Sequence, residues 1–501
     1  METQCLLLYG NNTLPGILRN AGPARLATEL RLAGFDTICV DIGALNINHI
    51  STIDKIVEKF VGKDTLWVGI STTFLTNIFG VNISRVIDNT SINSKVDDSF
   101  LLHFLDKCKQ RNPSVRFVLG GSNFINLDKY GFYHFKGYAD YELIEFTHWC
   151  KDQSYKMNIN RLGKVIECNE YSNFVTSQIK WHKSDLIMPN ETLPIEISRG
   201  CIFKCKFCAF PLNGKHKGEW IKHNEVLKDE LIYNYETYGI TKYIFADDTY
   251  NDSLDKITNL YESVFNKLPF KLTFTSYLRL DLMHRFPESV EVLQKSGLKS
   301  AMFGIETNNG ESAKSIGKGL EFEKQVEFIK KIKKNEFKEI LTHSAFILGF
   351  PKDTKNSMES LKEFLLSSNN PLDEWVCRPL SINPVTYSQH KKYFSEFDLN
   401  FEKYGYKIFN EDKSDIHRMK WSLDGKDFDY DYCLNFSNEI NEKSENLPNM
   451  RFGAQLFARY STILKEDEVR LMSRAEIKEK YDVGSLVKEY LINYYKKILS
   501  Y

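Results

Sequence analysis

A chain of 501 residues is too long for a single hydrophobic core and is expected to divide into about two or three domains. Its 66 basic and 66 acidic residues cancel, which removes any global electrostatic argument for a nucleic-acid or membrane partner, although a local basic patch remains compatible with this balance. The first residues carry no basic segment ahead of their short apolar run, and no stretch approaches the length of a membrane span. We therefore expect a soluble, cytoplasmic protein.

Residues 1–150 alternate apolar strands with amphipathic helices, which predicts an α/β domain with a Rossmann-like, doubly wound parallel sheet. The predicted strands cover 5–9, 37–40, 66–70 and 116–119, and the predicted helices cover 23–32 and 100–109. Ligands of such sheets bind at the carboxyl ends of the strands, where Ser71, Gly120 and Gly121 lie. Paired glycines there would let a bulky ligand approach the backbone.

The rest of the chain divides into three further predicted segments. Residues 151–190 read as a polar connector with a short hairpin around Gly163. Residues 191–370 repeat strand and helix five or six times after a first strand, which predicts a partial (β/α)6 TIM-like barrel. Residues 371–501 are rich in aromatics and lysine and predict a mixed, mostly helical region that ends in an amphipathic helix over 487–499. We expect these aromatics to pack a core rather than stack on nucleic-acid bases.

Three cysteines with C-x3-C-x2-C spacing, Cys201, Cys205 and Cys208, are the most informative feature of the sequence. Thiolates are the preferred ligands of iron–sulfur clusters, and three ligands would leave one iron of a 4Fe–4S cluster open to a small molecule. A zinc site completed by His216 is the alternative, although structural zinc usually takes its ligands in two pairs. The other seven cysteines are scattered singly.

Polar or flexible residues follow the later predicted strands: Asp248, Arg279, Glu306 and Gly349. A carboxylate can accept hydrogen bonds from an ammonium, and a guanidinium binds a carboxylate in a fork. Asp248 also fits an ordinary helix cap. Glu306 is the stronger candidate, since a buried carboxylate at a strand end needs a partner.

This pattern resembles the radical S-adenosylmethionine (radical SAM) enzymes, whose cysteine motif has an aromatic residue before its last cysteine, here Phe207. The resemblance implies that Asp248 and Glu306 lie near the methionine amine of the cofactor. It places Arg279 near the carboxylate or ribose, and the strand end at Gly349 against the adenine.

Residues 1–150 are also similar to the cobalamin-binding domains found in many radical SAM enzymes, with Ser71, Gly120 and Gly121 as candidate contacts. The mutase-type Asp-x-His-x-x-Gly loop is absent, because residues 9–16 contain no histidine. Several members of the radical group also lack that histidine. A degenerate domain that only supports the substrate cavity is the alternative.

The resemblance implies reductive cleavage of S-adenosylmethionine, with cobalamin-dependent methylation of an unactivated carbon as the leading reaction. It also implies a small-molecule or peptide substrate and an electron donor such as flavodoxin or ferredoxin. In related enzymes the C-terminal region closes the barrel and contributes to substrate recognition. A radical epimerase, cyclase or rearrangement enzyme and a non-catalytic iron–sulfur module are the alternatives. Methylthiotransfer is disfavoured, because the first domain has no second cysteine trio.

Overall fold

The computed structural model describes residues 2–10, 18–42, 49–73, 99–121, 130–168, 174–383, 394–409 and 419–501. Two parallel sheets organise these residues, one of seven strands and one of six, and a two-stranded antiparallel sheet lies in the C-terminal region. The expected α/β fold class is therefore confirmed. Residues 11–16, in which the sequence shows no histidine, and Ser122 lie outside the described residues.

The first sheet has the strand order β2-β1-β3-β4-β5-β7-β6, and every pairing is parallel except that of β6 with β7. Its strands are β1 Cys5–Tyr9, β2 Thr37–Asp41, β3 Trp67–Ser71, β4 Arg116–Gly120, β5 Tyr133–Lys136, β6 Asn160–Leu162 and β7 Val165–Glu167. The order reverses between β1 and β3, which makes the sheet doubly wound, as predicted. The hairpin around Gly163 is β6 and β7, and it extends this sheet at its edge.

Helices cover both faces of the first sheet. Successive residues of a strand point to opposite faces, and both sets are apolar here, so each face needs a covering layer. One face packs on Ala21–Leu32 and Glu142–Lys151, whose buried residues include Leu30 and Phe146. The other face packs on His49–Phe60 and Ser99–Arg111.

The C-terminal helix Val483–Ser500 completes that second face of the first sheet. Its residues Tyr494, Tyr495 and Ile498 are buried in the same apolar cluster as the strands. The hydroxyl of Tyr495 donates a 2.8 Å hydrogen bond to the carbonyl of Asp41, and the amide of Asp41 donates to the Tyr494 hydroxyl at 3.2 Å. The end of the chain thus packs against its beginning, a contact that the amphipathic pattern over 487–499 did not specify.

The second sheet follows chain order, β8-β9-β10-β11-β12-β13, with every pairing parallel. Its strands are β8 Leu193–Ile195, β9 Lys242–Phe245, β10 Thr273–Leu278, β11 Leu298–Glu306, β12 Leu341–Leu348 and β13 Glu374–Pro379. The connecting helices are Asn224–Tyr238, Leu254–Ser263, Leu280–Arg285, Glu288–Lys295, Gly310–Ser315, Phe322–Lys334 and Lys355–Leu365. Right-handed connections in chain order put the helices on one side of the sheet, as in a partial barrel. Closure into such a barrel stays a prediction.

The C-terminal region combines a hairpin with short helices. Its elements are Glu396–Asn400, β14 Tyr406–Phe409, β15 Lys420–Leu423, Tyr430–Ser444, Gly453–Gln455, a π-helix over Leu456–Tyr460, Glu466–Val469, Arg474–Lys480 and Val483–Ser500. Trp421 and Cys433 from this region belong to the core of the second sheet. Its buried aromatics therefore serve packing, as expected. Among the described residues, no helix combines the length and the apolar character that crossing a membrane requires.

Replacing Ile498 with alanine should destabilise the first domain. The side chain is 1% exposed in the contact between the C-terminal helix and the sheet. Removing a buried isoleucine side chain costs about 2–5 kcal/mol of unfolding free energy, which urea denaturation would measure. Lys496→Ala, at an exposed position of the same helix, is the control and should change stability by less than about 0.5 kcal/mol. Equal stability of the two variants would contradict the packing described here.

Candidate functional site

The three cysteines lie on a loop that follows strand β8 and closes on itself. The amide of Gly214 donates a 2.7 Å hydrogen bond to the carbonyl of Cys201, and Cys201 also pairs with Asn213 through an isolated β-bridge. Gly200 has φ +73°, and a Cβ atom there would lie 2.5 Å from that of Leu212. This position therefore requires glycine, and the turn it allows starts the loop at Cys201.

Each cysteine sulfur has one polar side chain within hydrogen-bond distance. The three pairs are Thr249 Oγ1 with Cys201 at 3.2 Å, Asn213 Nδ2 with Cys208 at 3.2 Å, and Arg279 Nη1 with Cys205 at 3.5 Å. Asn213 and Arg279 direct N–H donors at sulfur, which stabilises the negative charge of a thiolate and tunes the potential of an iron–sulfur cluster. The Thr249 hydroxyl donates to the carbonyl of Asp248 at 2.8 Å. The donor set around this loop therefore fits such a cluster.

Two of the three cysteines are buried in a way that favours the protonated thiol. Burial raises the pKa of Cys201 and of Cys208, so cluster assembly must displace these protons. Over the described ranges, no three Cys, His, Asp or Glu side chains are arranged as ligands of one metal ion. Neither the cluster ligands nor the zinc alternative with His216 is assembled there, and the assignment of the three cysteines as cluster ligands stays a prediction.

Two aspartates with different surroundings follow strand β9. Asp247 accepts a hydrogen bond from the Ser198 hydroxyl at 2.5 Å. Asp248 accepts one from the backbone of Gly200, and desolvation, together with the charge of Asp247, raises the pKa of Asp248 to about 7. The helix-cap alternative for Asp248 is wrong, because Ser253 caps the next helix. Asp248 thus places a carboxyl group with a pKa of about 7 beside the start of the cysteine loop.

Arg279 lies against the cysteine loop. Its Nε donates to Asp281 at 2.9 Å, and its guanidinium carbon lies 3.8 Å from the ring centroid of Phe203. Asn251 accepts a 2.8 Å hydrogen bond from the backbone amide of Arg279. Arg279 therefore supplies positive charge beside Cys205, and its predicted contact with the cofactor stays a prediction.

Glu306 ends strand β11 in a conformation that few residues adopt. Its φ is +72°, at a shift in the register with β12. Its carboxylate lies 3.5 Å from the Lys318 ammonium, which also donates to the carbonyl of Gly304 at 2.7 Å. Burial raises the pKa of Glu306 against the lowering effect of Lys318. Left-handed backbone at a non-glycine residue costs about 1–2 kcal/mol and is typical of functional sites.

Sequence reasoning missed Lys318, for which the flanking Gly317 and Gly319 were the available signal.

The turn after strand β12 is covered by the C-terminal region. Asp353 accepts hydrogen bonds from the amides of Gly349 and Phe350, each at 3.0 Å, and the Tyr406 hydroxyl donates to the carbonyl of Gly349 at 2.7 Å. The ring of Phe207 lies 5.8 Å from that of Phe350, centroid to centroid. The structure thus brings the aromatic residue of the cysteine motif to the Gly349 turn.

The candidate cobalamin contacts lie at the carboxyl edge of the first sheet. Ser71 and Gly120 end adjacent strands β3 and β4, where Thr72 donates from its amide to the carbonyl of Gly120 at 2.8 Å. None of the described residues lies within 4 Å of where a Cβ of Gly120 would sit, whereas a Cβ at Gly121 would lie 2.6 Å from the amide of Thr73. Gly120 therefore offers open space, while Gly121 is needed for the packing of its own loop.

A buried ionic network joins the two sheets next to the cysteine loop. Asp140 forms ion pairs with Arg25 and with Arg199, the latter at 3.2 Å, and Glu196 lies 2.6 Å from Arg25. Burial alone would raise the pKa of Glu196, but the charges of Arg25 and Arg199 outweigh it and lower that pKa to about 2. Arg199 precedes Cys201 by two residues, so the network links the loop after β5 to the start of the cysteine loop. Sequence reasoning did not pair Asp140 with these arginines, because the three residues lie far apart in the chain.

Residues 195–365 match the family model of the radical SAM superfamily. These residues are therefore a radical SAM domain, and the resemblance drawn from the sequence is confirmed. The match implies a 4Fe–4S cluster and S-adenosylmethionine as cofactors.

Two groups of relatives extend this result. An uncharacterized methyltransferase of Pyrococcus horikoshii is 29% identical over 171 residues, 33% of this chain and 35% of the relative. The ribosomal protein uS12 methylthiotransferase RimO of Clostridium botulinum is 25% identical over 206 residues, 39% of this chain and 44% of the relative. The chain thus spans less than half the length of these curated relatives.

Two solved structures share the fold over most of this chain. TsrM of Kitasatospora setae, a radical S-adenosylmethionine methyltransferase, superposes with a TM-score of 0.58 at 13% identity, covering 82% of this chain and 79% of TsrM. The cobalamin-dependent radical enzyme OxsB superposes with a TM-score of 0.51 at 16% identity, covering 80% of this chain and 56% of OxsB. At this identity the likeness establishes the fold.

Replacing Gly349 with alanine should disrupt the turn after β12. Its φ is +96°, and a Cβ atom there would lie 2.2 Å from the ring of Trp421. Backbone strain and overpacking together should lower the unfolding free energy by at least about 2 kcal/mol in urea denaturation. Gly319→Ala, where nothing lies within 4 Å of the added atom, should stay within about 0.5 kcal/mol of the parent protein. An equally small effect at Gly349 would contradict the contact with Trp421.

Proposed function

We propose that this chain cleaves S-adenosylmethionine reductively at a 4Fe–4S cluster held by Cys201, Cys205 and Cys208, and methylates an unactivated carbon with the help of cobalamin. One observation carries the proposal: Asp140, in the loop after β5 of the first sheet, is paired with Arg199, which directly precedes the cysteine loop, and Asp248 accepts a backbone hydrogen bond from Gly200 in the same loop. When bound, the cluster and S-adenosylmethionine supply an electron and a hydrogen-abstracting 5'-deoxyadenosyl radical, and cobalamin supplies a methyl group.

The residues of this chain then have separate tasks. Asp248 and Glu306 accept hydrogen bonds from the cofactor amine, and partial burial strengthens those bonds. Arg279 donates a hydrogen bond to the sulfur of Cys205, and Asn213 donates one to the sulfur of Cys208. Phe207 and the Gly349 turn exclude water from one side of the cofactor.

The first sheet supports the cobalamin part of the proposal. Its strand order reverses between β1 and β3, and ligands of doubly wound sheets bind at such a reversal. Ser71 ends β3, and Gly120 on the neighbouring strand faces open space. The fold shared with OxsB, whose solved structure contains aqua-cobalamin and S-adenosylmethionine, is consistent with this placement.

A radical reaction without cobalamin turnover is the second candidate. The absence of histidine from residues 9–16 favours it, because that residue type supplies the lower axial ligand in mutase-type domains. An epimerase, cyclase or rearrangement enzyme would form 5'-deoxyadenosine without S-adenosylhomocysteine. A non-catalytic module would form neither.

Anaerobic turnover of the reconstituted protein tests the reaction. Reduced flavodoxin or ferredoxin is the proposed electron donor. With it, the wild-type protein should form 5'-deoxyadenosine, and addition of cobalamin and substrate should add S-adenosylhomocysteine. One S-adenosylmethionine is then cleaved to methionine, and a second donates its methyl group. Loss of either product would contradict cobalamin-dependent methylation.

Alanine at Cys201, Cys205 or Cys208 should remove the cluster, because it leaves only two protein ligands. Iron content and the visible absorbance of the reconstituted protein should fall to background, and 5'-deoxyadenosine should disappear. Cys108→Ala, a buried cysteine of the first domain, is the control and should keep both signals. A variant of the trio that retains full iron content would remove that cysteine from the ligand set.

Replacing Gly120 with valine should block cobalamin while leaving the fold intact. The position has open space around its Cβ and no positive φ, so a side chain is tolerated by the protein but would occupy the proposed ligand space. Equilibrium dialysis with hydroxocobalamin should show a loss of at least about tenfold in affinity, equivalent to 1.4 kcal/mol. Gly310→Val, also in open space but in the second domain, is the control. Equal cobalamin affinity in the two variants would exclude Gly120 from the site.

A further inference from the structure

The second sheet has an inner face, opposite its helices, with polar side chains that the proposed cofactor site does not use. Phe274 and Trp375 belong to the core shared with the helices. Because side chains alternate along a strand, residues of the other parity face away from that core. Tyr277 on β10 and Arg378 on β13 are therefore on the inner face.

The C-terminal region brings a second arginine to this face. The π-helix Leu456–Tyr460 contacts β10, and the helical turn before it contacts β11 and β12. Leu456 packs with Leu341, and alternation along β12 puts Leu341 on the inner face of the sheet. Arg459 lies in this π-helix and is 5% exposed.

Tyr277 has groups of both charges near it. Its side chain is 52% exposed, and desolvation raises the pKa of its hydroxyl. The positive charges of Arg459 and Arg378 lower the pKa of Tyr277, and the negative charges of Glu306 and Asp248 raise it. The two arginines and the two proposed cofactor carboxylates are thus all close enough to Tyr277 to influence its pKa.

Arg378 is available to a ligand. It is exposed, and its guanidinium forms no hydrogen bond or ion pair with any residue in the part of the chain that the structure describes. The nearest carboxylate on its own strand and face, Glu374, is already paired with Arg474. A guanidinium offers five N–H donors in a fork that matches a carboxylate or phosphate.

We propose that the substrate carries an oxyanion group, a carboxylate or a phosphate, that binds Arg378 and Arg459 on this inner face, with the Tyr277 hydroxyl as a further hydrogen-bond partner. This rests on the proposed function, because it assigns the substrate end of the same site. With its anionic group bound there, the substrate would extend past Tyr277 toward Asp248 and Glu306. That is the direction in which the hydrogen to be abstracted must lie.

Binding of small anions tests this without turnover. Benzoate, phenyl phosphate and the neutral benzamide are titrated calorimetrically into the full-length, reconstituted protein in the presence of saturating S-adenosylmethionine. At least one anion should bind at least tenfold more tightly than benzamide, and the benzoate and phenyl phosphate arms distinguish a carboxylate from a phosphate. Arg378→Gln should weaken that binding about tenfold or more, because a charge-assisted pair is lost. Arg378→Lys, which keeps the charge without the fork, should give an intermediate affinity.

Arg285→Gln, at an exposed arginine of the same domain outside this face, is the matched control and should bind the anion like the parent protein. A parallel titration omits S-adenosylmethionine. Three outcomes would overturn the proposal: no binding of either anion under either condition, unchanged affinity in Arg378→Gln, or anion binding that occurs only when S-adenosylmethionine is left out. The last would assign the arginines to the cofactor. None of these outcomes depends on 5'-deoxyadenosine formation, so they are separable from a failure of the proposed reaction.

Discussion

The buried ion pairs among Arg25, Asp140, Glu196 and Arg199 fix how the two sheets of this protein meet. Asp140 and both arginines are at most 3% exposed, and removing one partner from such a network leaves an uncompensated buried charge at a cost of about 3–5 kcal/mol. The guanidinium of Arg199 is also stacked between two aromatic rings, 3.9 Å from that of Tyr138 and 4.4 Å from that of Phe174. Because Arg199 precedes Cys201 by two residues, these contacts set the start of the cysteine loop.

The C-terminal region contributes to both sheets. Trp421 and Tyr406 pack on the Gly349 turn, Arg459 lies against the inner face of the second sheet, and the last helix covers the first sheet. A single segment therefore contacts the proposed cofactor end, the proposed substrate end and the proposed cobalamin domain. Its packing couples the stability of the first domain to residues more than 400 positions away in the sequence, as the hydrogen bond between Tyr495 and Asp41 illustrates.

Local sequence patterns were sufficient to predict the helices and strands, but not which residues contact one another. Runs such as 5–9 and 117–119 are apolar throughout, which is typical of strands buried on both faces, and the structure places them in the first sheet. The carboxylates Asp248 and Glu306 could be expected at strand ends because they directly follow apolar runs. Lys318 and the arginines around Asp140 could not be paired in advance, because the sequence gives no distance between residues so far apart in the chain.

The sequence alone determined the strand and helix alternation, the cysteine trio and therefore the radical SAM domain, because these depend on residue type and short spacing. Tertiary structure decided which donors reach each sulfur, that Asp247 and Asp248 differ in their surroundings, and that Arg378 and Arg459 share one face. Those properties depend on contacts between distant segments, and burial there changes the charge state and hydrogen bonding of a side chain. The cysteines indicate the type of chemistry, and the packing around them determines where a substrate can lie.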